Sequence, residues 1–410
     1  MQGATRRRGL VAIAAAALVV GAAGCSGSSP SAASSGSAAP SPDASSTATA
    51  PASTTTTEPP TTTTTLPPTP GPAALTVAMA GDLLPHLPLV AQAGAYGRDH
   101  GARYDFGPML APMAPILTGA DLALCHLEVP LARDQGALSG YPSFGAPDEL
   151  VDAIAGAGYD GCSTASNHSL DQGTAGIART LDRFDQLGLH HAGTARSAEE
   201  GAAITTYDVD GATVAHLSYA YGFNGYRLPT DAPFAANLID VARIRDDARR
   251  AREAGAQLVI VSLHWGDEYR HDPSAFQRQV ADDLLPSPDI DVIVGHHAHV
   301  VQPIEQVEGT YVVFGLGNQL ANQRQPGRAD GLTVVLHAEK LDDGRYRVAG
   351  IEAVPTYVAA GSFAVLPVAD ALASPDPGAP VAELQASFDR TAAVLEASPT
   401  PGVLVVPRPG

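Results

Sequence analysis

Basic residues are scarce in this 410-residue sequence, where 24 lysines and arginines stand against 43 aspartates and glutamates, a formal charge of −19 at pH 7. Such a charge repels polyanions, which excludes nucleic acid and an anionic membrane face as partners. Removal of residues 1–24, which contain three arginines and no acidic residue, would make the charge −22. A polyanionic partner would therefore need metal ions to supply the attraction.

Cysteine is also rare, with three residues in the chain. Cys125 and Cys162 fall near the ends of predicted core strands. We expect both to be buried thiols, because a bridge demands specific Cβ geometry. A disulfide is the alternative, since an exported protein meets an oxidising environment.

The apolar run near the start, residues 10–20, is too short to span a bilayer. It follows three arginines and precedes Ala22-Ala23-Gly24-Cys25, so residues 1–25 are predicted to be a lipoprotein signal with Cys25 as the lipidated residue. An ordinary secretory signal cut nearby is the alternative. The lipoprotein prediction implies an extracytoplasmic protein anchored to the membrane.

Residues 26–73 consist almost entirely of Ser, Thr, Ala, Pro and Gly. Such a segment cannot bury enough apolar area to offset the entropy lost on ordering. We therefore expect a disordered tether that holds the folded part away from the membrane.

Residues 74–370 are long enough for one large α/β domain, in which strand-like runs alternate with amphipathic helical patterns. The predicted helices cover residues 148–157, 174–187, 239–254 and 280–285. Asp-Gly pairs predict hairpins over residues 207–214 and 341–348. Outer helices around mixed sheets indicate a four-layer α-β-β-α sandwich. Residues 371–410 are predicted to be a Pro-rich segment with one helix, over residues 381–396.

The clearest chemical signal is Gly295-His296-His297-Ala298-His299, which follows the apolar run at residues 290–294. A strand-end loop is where open α/β folds place their chemistry. His297 and His299, two residues apart, can reach one point from a turn and are predicted metal ligands. His296 is expected to stay off the metal and to face a phosphate or solvent.

Four earlier apolar runs also end in residues that bind metals: Asp82 after Gly81, Glu128, Asn167, and His264. Gly81 is expected to allow a sharp turn out of the first strand. Glu128 has two carboxylate oxygens and could bridge two metal ions. His126 could line the same site, because it lies on the opposite face from Leu127.

His168 follows Asn167 directly and is predicted to face the substrate as a general acid or electrostatic stabiliser. Asp171 could hold His168 in one tautomer or cap the following helix. His86 is as easily a solvated loop residue as a partner of the site. Trp265, the only tryptophan, is expected to line the pocket wall.

Carboxylate, amide and imidazole ligands together exclude a structural zinc site built on cysteine and suit Mn, Fe or Zn. Six candidate ligands exceed the need of one ion. The sequence therefore predicts two divalent ions, roughly 3.5–4 Å apart, that clamp the attacking and leaving oxygens of a phosphoryl-type displacement.

Six motifs in this order resemble the CapA-type poly-gamma-glutamate capsule biosynthesis family, which is similar to calcineurin-like metallophosphoesterases. They are Gly81-Asp82, His126-Leu127-Glu128, residues 166–173, His264-Trp265-Gly266-Asp267-Glu268-Tyr269, residues 295–299, and Leu316-Gly317-Asn318. The resemblance implies the same metal ligands (Asp82, Glu128, Asn167, His264, His297 and His299), with His168 as the catalytic histidine. Glu268 and Asn318, which lie within these motifs, are expected to line the pocket.

The sequence departs from the family pattern at His126, Ser166, Ala298 and Gln319, none of which is an expected ligand. Two functions follow as expectations. The first is a metal-dependent hydrolase acting on a phosphoester or amide bond of a cell-envelope polymer. The second is a non-catalytic binding or assembly subunit that joins the membrane subunits of a polyglutamate synthase. A fold alone does not decide between them.

Overall fold

The computed structural model describes residues 74–134, 136 and 138–407. The predicted signal segment, the lipidation residue Cys25 and the tether over residues 26–73 lie outside the described residues. None of the described helices is both long enough and apolar enough to cross a membrane.

The strands alternate with helices along most of the described chain. The strands are β1 (Leu75–Leu84), β2 (Leu122–Leu127), β3 (Gly161–Ser163), β4 (His190–Ala192), β5 (Thr205–Val209), β6 (Ala212–Ala220), β7 (Leu258–His264), β8 (Val292–His296), β9 (Ile304–Val307), β10 (Thr310–Val313), β11 (Asn318–Ala321), β12 (Asp330–Lys340), β13 (Tyr346–Val358), β14 (Val365–Pro367) and β15 (Val403–Val405). The helices are α1 (Leu87–Arg98), α2 (Gly107–Leu110), α3 (Ala114–Gly119), α4 (Glu149–Ala157), α5 (Gly173–Leu187), α6 (Ala198–Ala202), α7 (Val241–Glu253), α8 (Ala275–Leu284), α9 (Val368–Ala373) and α10 (Val381–Glu396).

The strands form two sheets. The first has the order β14-β13-β12-β1-β2-β3-β4, with β11 beside the end of β1 and β15 beside β13. The second has the order β5-β6-β7-β8-β10-β9. The pairs β1–β2, β2–β3, β6–β7 and β7–β8 are parallel, so their carboxyl ends point the same way within each sheet.

The alternation of side chains along the central strands explains the layers. In β1, Val77 and Met79 share an apolar cluster with Ile260 of β7, whereas Ala78 and Ala80 belong to a separate cluster that includes residues of α1 to α4. In β7, the alternate residues pack with α7 and α8. Successive residues of a strand point to opposite faces, so each sheet covers the other on one face and helices on the other. The predicted four-layer α-β-β-α sandwich is confirmed.

The hairpins and most helices agree with the sequence pattern. The Asp-Gly turns join β5 to β6 and β12 to β13. Gly158 and Gly188 end α4 and α5 in the left-handed conformation that glycine adopts most readily. Helix α8 is longer than predicted, because the side chain of Ser274 accepts from the N–H of Gln277 and starts it earlier.

The two core cysteines were expected to be free thiols, and this prediction is wrong. Cys125 of β2 lies directly opposite Cys162 of β3 in the parallel ladder, with their Cα atoms 4.4 Å apart. That separation falls within the range of natural bridges, and the structure joins the two residues in a disulfide. Strand register, which the sequence pattern did not reveal, brings them together.

Candidate metal centre

The chemistry-bearing residues converge because parallel strands end at the same edge. Asp82 lies near the end of β1, His264 ends β7 and His296 ends β8. Glu128 follows β2 directly, and Asn167 lies in the connection between β3 and α5. This placement at strand ends is the one expected for a site in an open α/β sheet.

The first group of candidate ligands is Asp82, Glu128 and His299, which each offer an atom within 4.8 Å of the others. His299 Nδ1 lies 3.1 Å from Asp82 Oδ2, and His299 Nε2 lies 3.6 Å from Glu128 Oε1. All three side chains are buried. Two carboxylates and one imidazole are ligands that Zn, Mn and Fe accept.

The second group is Glu128, His264 and His297, under the same 4.8 Å limit. Asn167 joins this group, because its Oδ1 lies 2.9 Å from His264 Nε2. Glu128 therefore belongs to both groups. Its two carboxylate oxygens are the reason for expecting it to bridge two ions.

The buried carboxylate of Glu128 is the observation that tests whether a metal fits. Neither of its oxygens has a hydrogen-bond partner among the described residues, and the side chain is 1% exposed. A buried carboxylate that accepts no hydrogen bond is costly unless cations lie beside it. Nδ1 of His297 also lacks a partner within the described part of the chain. The donor set fits divalent metal ions.

The pKa values reflect this crowding of charge. Burial raises the pKa of Glu128 to about 7, against the opposing charge of His299. Burial would lower the pKa of His299, but Glu128 and Asp82 raise it to about 9. Burial lowers the pKa of His297 to about 3, so its imidazole is neutral and free to coordinate.

His296 was expected to face a phosphate or solvent, and the structure places it elsewhere. It is 2% exposed, its Nδ1 lies 3.2 Å from Asp82 Oδ1, and its ring stacks on His126 with centroids 4.1 Å apart. Because β8 continues through His296, its side chain alternates into the space between the sheets. His126 does reach the site, with Nε2 2.9 Å from His264 Nδ1.

The backbone has an unusual conformation at His297 and His299. His297 has a φ of 88° and His299 a φ of 54°, both in the left-handed region. Such a conformation is uncommon for residues other than glycine and is concentrated at functional sites. It turns both rings toward the cluster, where the N–H of His297 also donates to Asp82 Oδ2 at 3.1 Å.

His168 and Asp171 form a dyad beside the cluster. His168 Nδ1 lies 2.7 Å from Asp171 Oδ2, which also accepts from the N–H of Phe144 at 2.7 Å. Gln172 is the residue that precedes α5, and no side chain caps that helix. Of the two roles open to Asp171, the geometry therefore supports orientation of the histidine.

The remaining predicted pocket residues differ in how deeply they are buried. Glu268 is exposed, with one oxygen within 4.8 Å of atoms of His297 and His299. Asn318 is fully buried and places its Oδ1 3.0 Å from His299 Nδ1. His86 is half-buried, and burial lowers its pKa to about 4.

Two expectations about local geometry are wrong. Trp265 does not line the pocket, because it alternates away from His264 into the core against α7 and α8, where its Nε1 donates to the oxygen of Phe314 at 2.9 Å. Gly81 does not start a sharp turn, since β1 continues past it to Leu84. Gly81 is instead needed for close packing, because a Cβ there would collide with the backbone of Gly317.

Sequence reasoning missed two residues of the connection between β6 and α7. Tyr221 packs against His297 with ring centroids 4.7 Å apart and is 41% exposed. Asn224 accepts a hydrogen bond from Asn167 Nδ2 at 3.2 Å, which turns the Asn167 carbonyl oxygen toward His264. Residues 218–225, which contain both, also resemble the capsule biosynthesis family outside the six motifs, and that resemblance was the signal available.

Fold and site together define a four-layer α/β protein with a candidate divalent-metal centre at its strand ends. The family model described as "Bacterial capsule synthesis protein PGA_cap" matches residues 76–323, which is more than half of the chain. The chain belongs to this family of bacterial capsule synthesis proteins, and the resemblance drawn from the six ordered motifs is confirmed.

Two curated relatives are from Bacillus. The chain is 31% identical over 214 residues to the PGA biosynthesis protein CapA of Bacillus subtilis (strain 168), covering 50% of this chain and 53% of that protein. It is 26% identical over 297 residues to the capsule biosynthesis protein CapA of Bacillus anthracis, covering 70% of this chain and 68% of that protein. The chain thus spans about half to two thirds of the length of these relatives.

The solved structures that match this chain have low sequence identity to it. The calcineurin-like phosphoesterase YfkN from Bacillus subtilis covers 79% of this chain and 98% of its own, with a TM-score of 0.42 and 14% identity. The 5'-nucleotidase precursor from Thermus thermophilus covers 79% of this chain and 59% of its own, with a TM-score of 0.43 and 13% identity.

Proposed function

We propose that this chain is a metal-dependent hydrolase of the capsule biosynthesis type, acting on a phosphoester or amide bond of a cell-envelope polymer. The observation that carries the proposal is the position of Glu128. Its carboxylate is buried, has no hydrogen-bond partner among the described residues, and belongs to two groups of candidate metal ligands. A carboxylate in that position suits a pair of divalent ions such as Mn, Fe or Zn.

The proposed chemistry divides between the ligands and the dyad. Divalent ions held by the ligand groups would polarise the bond under attack and lower the pKa of water. Asp171 accepts from His168 Nδ1 and orients the ring, which leaves Nε2 as the atom that would give a proton to a leaving oxygen or nitrogen. Tyr221 packs against His297 beside these groups, with ring centroids 4.7 Å apart.

The proposed place of action is the outer face of the membrane, with Cys25 as a lipid anchor. The Cys125–Cys162 disulfide supports an oxidising compartment. The membrane anchor itself rests on the sequence pattern at residues 6–25.

Hydrolysis of bis(p-nitrophenyl) phosphate with added Mn²⁺ tests the proposal. We expect Glu128→Gln and His168→Ala each to lower kcat/KM by about a hundredfold or more. Glu128→Gln removes the carboxylate common to both ligand groups, and His168→Ala removes the proton donor. His337→Ala, which removes a half-buried histidine on β12 outside the site, is the matched control and should retain activity. Turnover that survives both site variants would contradict the assignment.

A second function is favoured by the name of another relative. A Mycobacterium tuberculosis (strain ATCC 25618 / H37Rv) protein, 26% identical over 230 residues and covering 53% of this chain and 59% of its own length, is named "Probable polyglutamine synthesis accessory protein Rv0574c". The alternative for this chain is a non-catalytic subunit that assembles with polyglutamate synthase membrane subunits. Bound metal without turnover, together with co-purification of membrane subunits, would favour it over the hydrolase.

A further inference from the structure

A cavity lies where β4 and β5, edge strands of the two sheets, meet. Its volume is about 490 Å³, and its lining comes largely from β4, β5, β6 and the connection that follows β4. The described residues of the candidate metal centre do not contribute to its lining. The volume falls in the range of small-molecule sites in proteins.

Two buried polar side chains in its wall each have one atom without a hydrogen-bond partner among the described residues. His216 is 1% exposed, and its Nε2 lies 2.9 Å from Ser262 Oγ, while its Nδ1 has no hydrogen-bond partner among the described residues. Ser218 is 2% exposed, and its Oγ is likewise unpaired within the described chain. Both side chains belong to β6 and are two residues apart, so they point to the same face. Buried polar atoms without partners are rare, and here they mark the surface that a ligand would meet.

Gly193 packs closely against this part of the wall. It lines the cavity with a φ of 115°, and a Cβ at this position would lie 2.7 Å from Ser218 Oγ and 2.7 Å from the backbone N of Ala165. A side chain at Gly193 would therefore collide with the wall beside the serine, so the close approach requires glycine.

The charges in the wall are already compensated. Arg196 pairs with Asp185 at 2.7 Å and with Glu200 at 2.5 Å, and Arg250 pairs with Asp247 at 2.6 Å. An ionic ligand would find no unpaired opposite charge on these carboxylates. An apolar ligand would leave the serine and histidine atoms unsatisfied.

We propose that this cavity binds a neutral, multiply hydroxylated small molecule of about the size of one sugar ring. Each hydroxyl group can donate and accept, which suits Ser218 Oγ and His216 Nδ1 whichever tautomer the histidine adopts. The site is separate from the metal centre and does not depend on the proposed hydrolysis.

Ligand-observed NMR and titration calorimetry on the full chain test this inference, with sugars of the same ring size as probes. The probes are the neutral hexoses glucose, galactose and mannose, with glucosamine as the cationic and glucuronate as the anionic counterpart. We expect at least one neutral hexose to bind more tightly than both charged sugars. Ser218→Ala should weaken that binding about tenfold, the effect of one lost hydrogen bond.

Thr356→Val is the matched control, because Thr356 also carries a buried hydroxyl without a partner among the described residues but lies on β13, outside the cavity. It should leave sugar binding unchanged. If Ser218→Ala fails to fold, His191→Gln at a half-buried wall position replaces it and should weaken binding at least threefold. Absence of binding by all three neutral hexoses, tighter binding of a charged sugar, or binding equal in wild type and cavity variants would overturn the inference.

Discussion

At the scale of single residues, burial decides what the candidate ligands can do. Glu128 lies in a place where water cannot stabilise its charge, and its pKa is raised to about 7. His297 is held neutral by the same burial. Metal binding requires the deprotonated form of each side chain. The neutral His297 is already in that form, and a bound cation would favour ionisation of Glu128.

Burial also predicts a pH effect at a residue outside the metal centre. Burial lowers the pKa of His216 from its ordinary 6.5 to about 3. Below pH 6.5 the His216 imidazole is protonated in the unfolded chain, whereas in the folded chain it stays neutral until the pH falls to about 3. The contribution of His216 to the free energy of unfolding is therefore complete above pH 6.5 and is lost as the pH falls, at about 1.4 kcal/mol per pH unit.

Urea unfolding of the metal-free protein at about pH 7 and about pH 4.5 measures this effect. Between these conditions, wild type should lose about 2–3 kcal/mol more than His216→Gln, which cannot take up the proton. Comparison of the two proteins removes the contributions of the histidines that do not interact with His216. Equal losses in both would show that His216 is not kept neutral by the fold.

At the scale of elements, the strand ends and turns were readable from the sequence, whereas the supporting contacts were not. The helix at residues 381–396 and the hairpin over residues 207–214 follow from local periodicity and turn chemistry. The Cys125–Cys162 pairing and the contact of Gly81 with Gly317 depend on strand register. Register joins distant segments, and no local pattern encodes it here.

The connection after β6 predicts a positioning role for Asn224. Asn224 Oδ1 accepts a hydrogen bond from Asn167 Nδ2 and so fixes the orientation of the Asn167 amide. Asn224→Ala would allow that amide to rotate and should weaken metal affinity about tenfold or more. Asn224→Asp retains an acceptor oxygen and should bind metal more tightly than the alanine variant. Calorimetric titration with Zn²⁺ measures both, and equal affinities in wild type and Asn224→Ala would rule out this role.

The disulfide between β2 and β3 predicts a redox-dependent stability. It closes a loop with a sequence separation of 37, and its removal should lower the free energy of unfolding by about 2–4 kcal/mol. Denaturant melts of wild type with and without dithiothreitol, compared with Cys125→Ala/Cys162→Ala, measure the difference. Titration of Cys125 and Cys162 as free thiols in the unreduced, unfolded protein would disprove the bridge.

At the scale of the whole molecule, the four layers give the site its shape. The inner faces of the sheets supply an apolar interior, and the polar residues gather where the strands end. The sequence could therefore predict which residues meet, because strand-end residues of parallel strands share one edge. It could not predict that His296 lies against Asp82 or that Trp265 faces the helices, since each depends on where the strand stops.

Elemental analysis of the full chain, purified and then reconstituted with Mn²⁺, Fe²⁺ or Zn²⁺, tests the central claim most directly. The account predicts about two divalent ions per chain, a value that falls in Glu128→Gln and in His297→Ala/His299→Ala but not in the control His337→Ala. Wild-type protein that retains no metal under any of these conditions would contradict the metal centre and the hydrolase built on it.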